Sequence, residues 1–273
     1  MLNVLIVFIS AYALLNLYVY LVQDSFVLFP PPKSQFIENI PQKHCITLDI
    51  DDVQLNGIKV LNKPDALYTI IYFGGNAEDV TYNYYDFLNN LNTNMIAINY
   101  RGYAGNGGES SLKQLSLDAD QIIEKLLKDY QIETNRLVLM GRSLGSALAV
   151  ENGKKFNPAG IVAVTPFDSL LAMAKKYYSY LPVSLLLKHN FDNLEKAADT
   201  DVPMLIISGE EDRIIPQSHA RKLFNVWNAS PKKFVSVVGA GHNDIHSFPE
   251  YYHEINKFIK VLYLQNNDKG DLK

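Results

Sequence analysis

The stretch at residues 137–150, LVLMGRSLGSALAV, constrains this chain more than any other. Four apolar residues from Leu137 run into Gly141-Arg142-Ser143-Leu144-Gly145, and small apolar residues follow. The first run suits a buried strand and the last a helix packed close on a sheet. G-x-S-x-G between a strand and a helix is the pattern of a serine raised on a very sharp turn. Such a serine sits in a strained backbone conformation. Side chains two positions to either side would collide there, so glycine is required. The turn also aims the Leu144 N–H, at a helix N-terminus, toward the place where an oxyanion would form. The plain alternative is a glycine-rich turn with Ser143 as an N-cap.

The rest of the chain weighs against that alternative. Strand-like pieces occur at Cys45–Ile50, 54–60, 67–73, 95–99, Gly160–Val164, 203–208 and 233–238, and 118–130 has helical spacing. The first two, joined by Asp51-Asp52, form an opening antiparallel hairpin; the others are separated by helix-length segments. That alternation predicts an α/β fold, a mostly parallel sheet flanked by helices. In such sheets the loops beyond the carboxyl ends of the strands carry the site. Here those loops are Gly74-Gly75-Asn76-Ala77, Tyr100-Arg101-Gly102-Tyr103, 209–216 (GEEDRIIP) and 239–244 (GAGHND).

A nucleophile, an acid and a base are therefore available in the order Ser143, Asp212, His242, each just past a predicted strand. Glu210 and Glu211 are alternative acids. His219 and His246 are alternative bases, although His219 falls on the helix expected after Pro216 and His246 lies past the Gly-Ala-Gly turn.

The N-terminus reads differently. Residues 2–23 carry no charge, and an apolar helix over Leu2–Val22 would be about 30 Å long, enough to cross a bilayer. A cleaved leader would need a basic start and a small-x-small cleavage site, and neither is present. Tyr18 and Tyr20 near its far end fit an interfacial belt. A membrane anchor over 1–28 is expected, with Phe29-Pro30-Pro31-Pro32 ending the helix as a stiff linker into a domain spanning 29–273. Lys33 and Lys43 give only a faint push toward a cytoplasmic domain, so sidedness is left open.

Composition narrows the function classes. The chain has 273 residues and a formal net charge of -4 with no basic cluster, so nucleic acid is not an expected partner. Cys45 is the only cysteine, which excludes an internal disulfide framework and a cysteine-based zinc site. No metal-ligand cluster is visible, and the expected chemistry needs no metal or cofactor.

The runs YFGGNAEDV, YRGYAGNGGESS, GRSLGSALAV, TPFDSL, LKHNFDNLEKA, GEEDRIIPQSHA and GAGHNDI together resemble the membrane-anchored α/β-hydrolase-domain-containing serine hydrolases. The resemblance covers the chain from about Phe29 to the C-terminal helix near Leu264. It implies an α/β-hydrolase fold, a Ser143-Asp212-His242 triad, and an oxyanion hole from the backbone of Asn76, Ala77 and Leu144. Many relatives carry a histidine where this chain has Gly74, while others keep Gly-Gly-Asn. The segment 168–200 is expected either as a small lid with an apolar acyl-binding wall or as ordinary packed helix and loop.

Three readings follow. The leading one is a serine hydrolase cleaving an ester or thioester through an acyl-enzyme, on a small-molecule or lipid acyl substrate or an acylated protein at a membrane. The second is a peptidase or amidase using the same triad. The third is an inert, membrane-tethered interaction protein, against which the glycines at the elbow and at 74–75 argue.

Overall fold

The computed structural model describes residues 1–61, 63 and 66–268, without the side chains of 267 and 268. The expected domain end at 269–273 lies outside the described residues. The sheet has eight strands: β1 (Cys45–Ile50), β2 (Val53–Val60), β3 (Thr69–Phe73), β4 (Asn94–Ile98), β5 (Leu137–Arg142), β6 (Gly160–Val164), β7 (Met204–Gly209) and β8 (Lys232–Val237). Their order is β1-β2-β4-β3-β5-β6-β7-β8. β2 runs antiparallel to β1 and β4, and all later pairings are parallel. This is the α/β-hydrolase fold, with the opening hairpin and parallel remainder expected from the sequence.

Strand periodicity divides the core in two. Ile71, Phe73, Leu137 and Leu139 point to one face, and Ile70, Tyr72, Val138 and Met140 to the other. The first face is covered by α3 (Leu112–Asp129), α4 (Leu144–Phe156) and α8 (Gln217–Val226). The second is covered by α2 (Tyr84–Asn90) and α9 (Pro249–Asp268). β3 and β6 are buried along their whole length, which is why they read as unbroken apolar runs.

Two boundaries differ from expectation for identifiable reasons. α3 begins at Leu112 rather than 118, because the Ser111 side chain accepts the Gln114 N–H. Ser111-x-x-Gln114 has the capping-box pattern that could have set the start. The N-terminal helix, α1 (Leu2–Val22), ends well before the prolines. It stops where the chain enters a 3₁₀ turn at Gln23–Phe26 and Gln23 turns back to bond Tyr20 O.

α1 has no buried residue, and it makes up most of the apolar stretch Leu2–Phe26. By length and composition it is long and apolar enough to cross a membrane. Residues 23–28, placed with the anchor in the sequence reading, pack on the domain instead. Leu28 is in the core, and the Asp24 carboxylate accepts the Leu112 N–H at the start of α3.

Both ends of the 168–200 segment are ordinary packed helix. In α5 (Leu170–Tyr177), Leu170 and Met173 are buried, and α7 (Asn193–Ala198) packs on α4 and α8. Between them, the piece carrying α6 (Val183–Leu186) buries Leu181 and Val183 and leaves Tyr180 65% and Leu185 83% exposed.

Candidate active site

Ser143 joins β5 to α4 with φ +52° and ψ −115°, a conformation an L-residue holds only under constraint. The flanking glycines make the turn possible. A Cβ on Gly141 would lie 2.0 Å from Gly145 O, and one on Gly145 would lie 2.1 Å from Phe73 O. No side chain fits at either place, so the elbow is pressed directly against the end of β3.

Two post-strand loops bring their side chains to this serine. His242 Nε2 is 3.0 Å from Ser143 Oγ, and His242 Nδ1 is 2.7 Å from Asp212 Oδ2. The other Asp212 oxygen accepts the N–H groups of Ile214 and Ile215 at 2.9 and 2.8 Å. With both carboxylate oxygens committed, Asp212 presents an acceptor to Nδ1. Nδ1 is then the protonated nitrogen, and Nε2 is left to accept from the serine hydroxyl. Asp212 and His242 are 5% and 9% exposed, which shields this chain of hydrogen bonds from water.

The alternatives fall elsewhere. Glu210 and Glu211 are exposed. His219 lies on α8, as its position after Pro216 implies, and its Nδ1 bonds Asp168. His246 sits on a 3₁₀ turn at Ile245–Ser247.

Among the described residues, the N–H groups of Asn76, Ala77 and Leu144 donate to no protein acceptor. Leu144 heads α4, and the neighbouring Gly145 abuts Phe73 O and Gly74 O, so α4 begins against the 74–77 loop. Ala77 is at φ +60°. The loop is held from several sides. Tyr100 OH donates to Gly74 O at 2.6 Å, and Tyr103 OH donates to Asn76 Oδ1 at 3.2 Å. Burial pushes both tyrosine hydroxyls above their ordinary pKa, which keeps them as neutral donors. Arg101, between them, bonds both oxygens of buried Asp118. The Tyr-Arg-Gly-Tyr loop thus supports its neighbour.

Sequence reasoning missed Glu78. Its carboxylate accepts the Gly75 N–H at 2.6 Å and the Tyr72 hydroxyl at 2.8 Å, and it lies 3.5 Å from Arg142 Nε. Burial acts to lower the Arg142 pKa, and the charge of Glu78, with smaller contributions from Tyr72 and Tyr251, outweighs it, so the guanidinium stays above its ordinary value. The signal was there as a lone arginine inside G-x-S-x-G and a lone glutamate just after the glycine pair.

Comparisons with known proteins agree with this architecture. Residues 46–175 match a family described as alpha/beta hydrolase of unknown function (DUF1057). An uncharacterized protein of Mycobacterium tuberculosis is 35% identical over 157 residues, 58% of this chain and 56% of that protein. The match therefore spans little more than half the length of that relative. Alpha/beta hydrolase domain-containing protein 17B of Xenopus tropicalis is 29% identical over 203 residues, 72% of this chain and 67% of its own. Among solved structures, a Pyrococcus furiosus esterase superposes with a TM-score of 0.66 at 20% identity, covering 85% of this chain and 99% of its own. A soluble variant of monoglyceride lipase from Saccharomyces cerevisiae superposes at 0.60 with 13% identity, covering 80% and 94%. At those identities the structures speak to the fold.

Proposed function

We infer that this chain, which belongs to the α/β-hydrolase superfamily, is a serine hydrolase that cleaves an ester or thioester through an acyl-enzyme. One observation carries the reading: a strained serine whose hydroxyl is 3.0 Å from an imidazole that is itself held by a buried carboxylate.

The steps follow from the geometry. Ser143 Oγ attacks the carbonyl carbon as its proton passes to His242 Nε2. Asp212 holds the ring in the required tautomer and stabilises the imidazolium that forms. The negative charge moves onto the carbonyl oxygen, where the free N–H groups of Leu144, Asn76 and Ala77 supply donors worth roughly 3 kcal/mol each in comparable sites. Collapse expels the alcohol or thiol, which takes the proton from His242. Water then attacks the acyl-serine with His242 as base, releasing the carboxylic acid and restoring Ser143.

The esterase and the monoglyceride lipase that share the fold favour an acyl ester over a peptide as the first substrate to try. α1 serves as a single membrane span ahead of the hydrolase domain, its apolar surface facing lipid.

A fluorophosphonate probe tests the chemistry. The full-length protein should be labelled at Ser143 and the Ser143→Ala variant should not. An unlabelled, folded wild-type protein overturns the proposal. A panel of p-nitrophenyl esters beside aminoacyl anilides separates esterase from amidase. Carbonate extraction tests the span: the protein should stay with the membrane fraction.

A further inference from the structure

A cavity of about 170 Å³ lies between the C-terminal half of α1 and the 174–187 segment. Its walls include Leu15, Tyr18 and Val19 from α1 and Val183, Leu186 and Leu187 from the facing segment. The one amide in the lining is already satisfied: Gln23 donates to Tyr20 O and Leu186 O and accepts from Lys188 N. Nothing in the lining calls for a polar guest. An apolar cavity of about 150 Å³ stays dry and takes a benzene-sized molecule, so this one fits a group of roughly six carbons.

The cavity is braced against both halves of the candidate site. On one side Val27, in its wall, is two residues from Phe29, whose N–H donates to Asn76 Oδ1 at 2.9 Å. Two residues span less than about 8 Å of chain. On the other side Ala174 and Tyr178 line it, and Tyr177 between them donates its hydroxyl to Ile214 O at 2.7 Å. Ile214 N in turn donates to Asp212 Oδ1.

The same segment runs alongside α1. Tyr12 OH donates to Tyr180 O at 3.0 Å, and Tyr12 is ten residues, or about 15 Å of helix, before Val22. If α1 spans the bilayer, Tyr180 stands at the depth of the acyl chains.

We propose that this cavity is the acyl-chain site, that α1 forms one of its walls, and that the chain enters it sideways from the bilayer. This rests on the serine-hydrolase reading and adds what that reading lacks, a chain-length determinant that includes the membrane helix itself.

The test uses the full-length protein in vesicles with a phospholipid whose acyl chain carries a diazirine. In the Ser143→Ala protein, photolysis should crosslink residues within 15–27 and 174–187. Val19→Trp, which fills the cavity from α1, should lower the ratio of kcat/KM for an octanoyl over an acetyl ester by about tenfold or more, the transfer energy of roughly two buried methylenes. Crosslinks confined to other segments, or an unchanged ratio in a folded Val19→Trp protein, overturn the proposal. Crosslinking at these segments without fluorophosphonate labelling of Ser143 would sustain the acyl site and sink the serine-hydrolase reading alone.

Discussion

The Asp212–His242 and Asp168–His219 pairs are built from the same parts. In each, a nearly buried aspartate lies past the end of a parallel strand and meets His Nδ1, at 2.7 and 2.8 Å respectively. In each, the carboxylate also accepts a backbone N–H just downstream, from Ile214 and Ile215 or from Ser169. What differs is the next neighbour. His242 passes its free nitrogen to Ser143, whereas Asp168 takes a second side-chain donor, Lys222, and ties α8 to the start of α5. The pair alone is therefore no sign of catalysis. The proposed activity rests on the hydroxyl held on a strained turn opposite the imidazole.

The largest expected effect breaks the comparison at that hydroxyl. Ser143→Ala and His242→Ala should each lower kcat by about 10⁵-fold or more, with the double variant little worse, because the two act as a unit. His219→Gln should stay within about threefold of wild type on a soluble ester, since mutations away from the chemistry act mainly on stability. Additive losses in the double variant, or equal losses in His219→Gln, would erase the distinction.

Next comes the carboxylate. Asp212→Asn keeps the shape but gives the imidazole the wrong partner, so kcat should fall about 10⁴-fold while the melting temperature barely moves. Glu211→Gln, at an exposed position, should turn over normally. The reverse result would make Glu211 the acid. A smaller effect is expected behind the 74–77 loop. Glu78→Gln weakens the grip on Gly75 N–H and Arg142, and kcat should drop about tenfold with KM little changed, the equivalent of one weakened charged hydrogen bond. A rise in KM at constant kcat would place Glu78 in substrate binding instead.

The contrast between the pairs also shows what a sequence can carry. Ser143, Asp212 and His242 were legible because each stands in a glycine-bearing loop directly after an apolar strand, and the fold dictates that such loops converge. The inner strands β3, β6 and β7 were legible because burial on both faces writes them as mostly apolar runs. Asp168 and His219 were visible as residues but not as partners. They are 51 positions apart, and their meeting depends on how α8 lies against the end of β6. The same holds for Glu78 with Arg142, and for Tyr12 reaching Tyr180 across 168 positions. Polar contacts of that range leave no periodicity to read.

The smallest expected effect, invisible in turnover, concerns the second pair and pH. Burial works to raise the Asp168 pKa, but the hydrogen bond and charge of His219, then Lys222 and the Ser169 N–H, outweigh it and hold the carboxyl below its ordinary value. The folded protein therefore binds this proton less readily than the unfolded chain, where an aspartate titrates near about 3.9. The stabilisation is complete above that unfolded value and disappears as pH falls through the lower, folded one. Asp168→Asn should accordingly cost about 1.5–3 kcal/mol at pH 7, the range for a hydrogen bond to a charged group, with ester hydrolysis retained. Urea unfolding of both proteins in the same detergent, at pH 5, 4 and 3, should show the gap closing as pH falls toward 3. A gap that persists undiminished at pH 3 would mean that shape, not charge, fastens α8 to α5, and the likeness between the two pairs would end at their geometry.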